Sequence, residues 1–233
     1  MFLYFSDNNH QYTVAWFAAL YLGITLCSIP PSHGPFELAL QINETKGSVL
    51  FFAPNKLPVL QKVMGHDDYS ESLKQLKLIV EFQSETTSEM FKDFSGKVKT
   101  FQEMALIGSG KTLLQIPHFP IQNSKTKHFA IYYTSGSTGK PKGVIHSHYS
   151  FVALMTNIRR PVLPGVRGII PHPLGHISGS VMMPTLLDRG MTVIFLHYTP
   201  VEKIVEIVHK YRVSSYAFSA NAATELACSD FSQ

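Results

Sequence analysis

Late in the chain, the run MTVIFL (191–196) is followed by TPVEKIVEIVHKY (199–211) and then by VSSYAF (213–218). Two short apolar runs, rich in β-branched and aromatic residues, flank a segment with Ile204, Val205, Val208 and Tyr211 at helical spacing. Thr199 is the expected N-cap, with Pro200 at the first helical position and Glu202 closing a capping box. A helix between two strands carries the chain back across the sheet, so the two strands pair in parallel. This unit narrows the fold more than any other feature.

The same alternation runs along the rest of the chain. TLCSI (25–29), SVLFFA (48–53), LKLIVEF (76–82), FAIYYT (129–134) and GIIP (168–171) read as strands, and QYTVAWFAALYL and SFVALMTNI read as helices. Residues 66–72, 83–99 and 122–127 are polar and read as surface loops. The predicted class is α/β, with mixed but largely parallel sheets flanked by helices. A hydrophobic content of 45% over 233 residues, with 15% charged, suits a full core.

Several function classes are disfavoured. The net charge is +4, and the densest basic spots, Lys140/Lys142 and Arg159-Arg160, are too thin for a nucleic-acid stripe. Cys27 and Cys228 stand far apart with no C-x-x-C, so a disulfide framework is unsupported and a reducing interior is the default. The run VAWFAALYLGITLCSIP falls short of the ~20 apolar residues that a membrane span needs. It reads as a buried helix to Leu22, a turn at Gly23 and a strand. No basic region precedes it as in a signal peptide, and the terminal FSQ is no peroxisomal address.

The chemistry-bearing stretch is YYTSGSTGKPKGVIHSH (132–148), between a predicted strand and a predicted helix. Its glycines at 136, 139 and 143 let backbone turn tightly and approach a ligand closely. Successive N–H groups in such a turn form an anion nest. Thr134, Ser135, Ser137 and Thr138 add neutral donors, Lys140 and Lys142 add positive charge, and Pro141 stiffens the part that carries them. These residues suit a polyphosphate whose charge builds on a leaving group. A flexible Gly/Ser surface loop has the same composition.

The order of residues from Tyr133 through Gly143 resembles the phosphate-binding signature of the adenylate-forming superfamily: acyl-CoA synthetases, 4-coumarate–CoA ligases, luciferases and peptide-synthetase adenylation domains. PLGHISG (173–179) resembles that family's substrate-side segment, with Gly175 where an aromatic residue is usual. Residues 17–54 and LLDRGMTVIFL resemble the luciferase and coumarate-ligase branch. The resemblance implies the large N-terminal domain of that fold and ATP-dependent activation of a fatty or aryl carboxylic acid to an acyl-adenylate, followed by transfer to coenzyme A. It implies ATP, Mg2+ and coenzyme A as cofactors. Thr134, Ser135, Gly136, Ser137, Thr138, Gly139 and Lys142 would hold phosphates. His176, Ser178 and Met182 would line the acid pocket, widened by Gly175. A cytoplasmic or peroxisomal setting follows from the family.

Members of the family are longer. The Y-G-x-T-E segment, the ribose-binding aspartate and the small C-terminal domain with its lysine are not found in these 233 residues. Residues 1–233 are therefore expected to be a partial adenylation domain, incomplete and inactive alone. The alternatives are a truncated nucleotide-binding or interaction protein, and a P-loop NTPase or kinase acting through Lys111. For the last, ALIGSGKT (105–112) is one residue from a Walker A motif, with Ala105 in place of the first glycine. No metal site is expected: His146/His148 and His172/His176 lack ligand spacing on one helix face, since Pro173 interrupts the second pair. No G-x-S-x-G occurs either.

Overall fold

The computed structural model describes residues 1–84, 89–94, 96–110, 121–134, 141–157, 165–196, 199–216 and 220–228. The chain divides into two units, Met1–Ala153 and Leu154–Gln233. In the first, seven strands form one sheet: β1 (Phe2–Phe5), β2 (Leu26–Ile29), β3 (Val49–Phe52), β4 (Leu78–Glu81), β5 (Val98–Thr100), β6 (His128–Thr134) and β7 (Lys142–Ser147). Their order is β5-β4-β3-β1-β2-β6-β7. Every pairing is parallel except β6 with β7.

Period-two alternation divides the side chains of the central strands between two layers. Leu3 and Phe5 join Cys27, Ile29, Leu50 and Phe52 on one face. That face is covered by α2 (Pro35–Thr45), α3 (Leu57–Met64) and α4 (Asp67–Lys74), through Leu38, Ile42, Leu60, Val63 and Leu73. On the other face Tyr4 stacks on Phe51 with centroids 5.0 Å apart, and Phe51 stacks on Phe82. Tyr12 of α1 (His10–Tyr21) lies against Tyr4, and its hydroxyl meets Ser28 at 2.9 Å. Trp16, also on α1, is fully buried against Phe129 and Phe151.

Sequence reading located β2, β3, β4, β6 and α1 and missed other elements. FLYF, bounded by the turn-forming SDNN, becomes the central strand β1, hydrogen-bonded on both sides, although a run of four residues says nothing of its place in a sheet. Residues 66–72, expected as loop, fall mostly inside α4, where His66 is the N-cap and its Nδ1 accepts from the Asp68 N–H at 3.2 Å. The expected loop 83–99 contains a 3₁₀ turn, Glu89–Phe94, and ends in β5. Asn123 to Lys127 is a turn, as expected.

The strand order reverses beside β1, because β2 lies on one side of it and β3 on the other. Open α/β sheets usually receive ligands in the crevice at such a point, at the strand carboxyl ends. Here the protein's own side chains occupy it. Lys56 Nζ, buried just after β3, contacts Asp7 Oδ2 at 3.1 Å and the Pro31 carbonyl at 3.0 Å. Asn55 donates to the same Asp7 carboxylate. The glycine-rich loop leaves the carboxyl end of β6, which is on this same edge of the sheet.

The second unit has a parallel three-stranded sheet, β10-β8-β9, from β8 (Arg167–Ile170), β9 (Thr192–Phe195) and β10 (Ser215–Tyr216). Helices α7 (Ile177–Asp188), α8 (Val201–Lys210) and α9 (Ala220–Cys228) alternate with or follow these strands. The strand–helix–strand order expected from the sequence is present and its two strands run parallel, but they do not pair with each other: β8 lies between β9 and β10 and pairs with both. The helix capping also differs: α8 starts at Val201 with Pro200 as N-cap, in extended conformation (ψ 149°), without a side-chain cap hydrogen bond. A proline with ψ near 150° cannot be the first helical residue, so the start moves one position on. Ile204, Ile207 and Val208 pack on Ile169 and Leu196, whereas Tyr211 is 41% exposed, not on the apolar seam. Among the described residues no helix is long and apolar enough to cross a membrane.

Candidate functional site

In the first unit, the candidate phosphate-binding residues are carried by the hairpin formed by β6 and β7. Its register pairs Tyr133 with Gly143 and Thr134 with Lys142, so Thr134 and Lys142 face each other where the glycine-rich loop leaves and rejoins the sheet. Ser135, Gly136, Ser137, Thr138 and Gly139 lie outside the described residues, as does Lys140. The Thr134 and Lys142 side chains are exposed. Lys142 makes no ion pair among the described residues, where the two salt bridges are Lys56–Asp7 and Lys74–Glu71. An exposed ammonium at the end of a Gly/Ser/Thr loop, with no carboxylate on it, fits an anionic ligand such as a phosphate. Sequence reading ran the loop through to a helix and missed β7, a strand exposed along residues 142–145.

At the far end of β7, α6 (His148–Asn157) begins. His148 is 5% exposed, its ring lies edge-on to Phe129 with centroids 5.4 Å apart, and Nε2 lacks a hydrogen-bond partner. Burial, with help from the Lys127 charge, holds its pKa below the ordinary value. Burial has the same effect on His146, whose ring meets Tyr132 edge-on.

In the second unit, the candidate acid-pocket residues lie at the start of α7. His176 is the N-cap, in extended conformation. Its Nδ1 accepts from the Ser178 N–H at 3.3 Å and lies 2.7 Å from Ser178 Oγ. An acceptor Nδ1 in the neutral ring places the proton on Nε2, leaving that nitrogen as a donor toward a ligand. The His176 N–H bonds to the Pro173 carbonyl at 2.9 Å, and the His176 carbonyl accepts from Ser180. Gly179 is required by this close packing: a Cβ there would sit 2.3 Å from the Pro173 oxygen. Ser178 and Met182 stand one turn apart and are both half-buried, while Val181, Met183 and Leu186 of the same helix are buried. His176 is exposed, and burial together with the nearby His176 lowers the His172 pKa. The lone glycine in HISGS was the available sequence signal for the Pro173 contact.

The decoy motifs acquire definite places. Ala105 to Gly108 lie inside α5 (Phe101–Gly108), so the part of ALIGSGKT that a P-loop needs as loop is helix; Lys111 and Thr112 fall outside the described residues. Among the described residues no group of three or more His, Cys, Asp or Glu is placed to hold a metal.

The fold of this chain, with its largely parallel seven-stranded sheet, matches solved structures of adenylate-forming enzymes. The red-emitting luciferase of Phrixothrix hirtus superposes with a TM-score of 0.81 over 98% of this chain and 42% of its own, at 19% identity. A long-chain-fatty-acid–CoA ligase (FadD1) from Archaeoglobus fulgidus gives 0.76 over 97% of this chain and 41% of its own, at 17% identity. The chain belongs to the AMP-binding enzyme family, whose profile matches residues 2–229. Acyl-CoA synthetase 7 of Caenorhabditis elegans is 25% identical over 229 residues, 91% of this chain and 38% of that protein. Long-chain-fatty-acid–CoA ligase 2 of Schizosaccharomyces pombe is 36% identical over 125 residues, 51% of this chain and 16% of that protein. The chain thus spans well under half the length of these relatives.

Proposed function

We propose that the chain supplies the nucleotide- and acid-binding part of a ligase that activates a fatty or aryl carboxylic acid with ATP and passes the acyl group to coenzyme A. In this reading a carboxylate oxygen attacks the α-phosphorus, the bond to pyrophosphate breaks, and the mixed anhydride is then opened by a thiol. Thr134, Ser135, Gly136, Ser137, Thr138 and Gly139 hold the β- and γ-phosphates, and Lys142 neutralises charge on the departing pyrophosphate. Mg2+ accompanies the nucleotide. His176, Ser178 and Met182 line the acid pocket, with Gly175 leaving room beside them.

The family match over residues 2–229 carries this reading. The hairpin supports it, because Thr134 and Lys142, which makes no ion pair among the described residues, stand at the two ends of a loop made of phosphate-binding residue types. The test is Lys142→Ala in a full-length ligase that contains this chain. Acid-dependent ATP–pyrophosphate exchange should fall ~10²–10³-fold, as for loss of one transition-state donor. Its melting temperature should match wild type, since the side chain is exposed. Unchanged exchange would remove Lys142 from the machinery.

A further inference from the structure

The strand that opens the glycine-rich loop is tied to a helix far upstream. The Tyr133 hydroxyl donates to Glu44 Oε2 at 2.8 Å, across 89 positions of sequence. Glu44 lies in the last turn of α2 and is exposed. The Tyr133 ring is half-buried against the cluster that includes Ile131, Leu38 and Ile42. Burial, reinforced by the bond to Glu44, raises the tyrosine pKa and keeps the hydroxyl a donor.

The opposite strand is fitted to the same ring. Gly143 pairs with Tyr133, and a Cβ at 143 would lie 3.1 Å from Ile131 Cγ2 and 3.4 Å from Tyr133 Cζ. One residue further along each strand are Thr134 and Lys142. Among the described strands β7 has a single neighbour, β6. The ladder therefore holds its tip from one side only, and the end of such a strand opens easily unless something else anchors it.

We propose that Glu44, Tyr133 and Gly143 form a tether that sets the position of Thr134 and Lys142 for phosphate binding. Glu44 and Tyr133 are positioning residues that touch no substrate. This rests on the phosphate reading of the loop, and it adds α2 to the parts that determine nucleotide affinity.

The test compares Tyr133→Phe, Glu44→Ala and Glu44→Gln by amide hydrogen exchange and by calorimetric titration with Mg·ATP, with Lys142→Ala as control. Removing a hydrogen bond to a charged acceptor should speed exchange at residues 142–145 roughly tenfold, with β1 amides unchanged. Mg·ATP affinity should fall roughly tenfold with it. Glu44→Gln keeps an acceptor oxygen and should restore both to within about twofold of wild type. Unaltered exchange in Tyr133→Phe and Glu44→Ala would overturn the tether. Faster exchange with unchanged Mg·ATP affinity, while Lys142→Ala weakens binding, would overturn the positioning role and leave the phosphate reading standing. A wild-type protein that does not bind Mg·ATP would overturn that reading and the positioning role together. Should Tyr133→Phe unfold, the Glu44 pair decides, because its exposed side chain leaves the core intact.

Discussion

In the middle of the seven-stranded sheet, β1 has a parallel neighbour on each side and helices over both faces, and Leu3, Tyr4 and Phe5 are fully buried. At one margin, β7 runs antiparallel with a single neighbour among the described strands, and Val144 and Ile145 are 42% and 54% exposed. The two regions share one hydrogen-bonded sheet and divide its work. The interior stores the apolar burial that keeps the domain folded. The margin carries little of that burial, so it can devote its backbone and polar side chains to a loop suited to phosphates. The crevice beside β1, where such sheets usually bind ligands, is closed by Lys56, Asp7 and Asn55.

That contrast can be broken most directly in the interior. Phe52 is fully buried beside Phe91, with centroids 5.6 Å apart. Phe52→Ala should cost about 3–5 kcal/mol in urea unfolding, the usual range for an emptied aromatic core site. A loss below about 1 kcal/mol would mean that the centre of the sheet is not where stability resides.

A smaller effect is expected where margin and core meet. His148 follows β7 and is buried, and its folded pKa lies below the ordinary 6.5. The unfolded chain then binds the proton more readily than the folded one. The contribution is fully present above about 6.5 and is lost as pH falls from there through the folded pKa. Denaturant midpoints measured from pH 8 down to 5 should decline, and more shallowly in His148→Phe. His33, lowered by burial against the opposing pull of Glu37, acts in the same direction, as do His146 and His172, so some slope should remain. A slope identical in the variant would mean that His148 binds its proton equally well in the folded and unfolded chains.

The smallest effect belongs to the margin itself. Ile145→Thr keeps β-branching, and its stability should stay within about 0.5 kcal/mol of wild type. A larger loss would show that this face of β7 is covered in solution, and would blur the distinction between interior and margin.

Much of the architecture was legible because strand and helix periods are local. Runs such as SVLFFA and the Ile204/Val208 spacing need only their own neighbours to declare their state. FLYF, VKT and KGVIHS were not legible as strands, since nothing within four to six residues distinguishes a buried central strand, an edge strand and a loop flank. DDYSESLK read as loop because its composition is polar, and only its packing on α2 and α3 shows that Ser72 and Leu73 face a core. The candidate site divides in the same way. The glycine, hydroxyl and lysine order around residues 134–143 is a contiguous signal. The Tyr133–Glu44 bond joins two segments whose sequences carry no mark of each other.

By itself the sequence determined the α/β class, the strand–helix–strand order around α8, the buried helix of Trp16 and a loop whose residue types suit phosphates. These follow from period, propensity and side-chain chemistry, which act over a few residues. Only the tertiary structure decided that β1 is the central strand, that Lys56 fills the crevice beside it, and that Thr134 and Lys142 face each other above a tyrosine held by α2. Those facts depend on which distant segments pair and on which carboxylate a buried ammonium reaches, and such contacts form only when the whole sheet does.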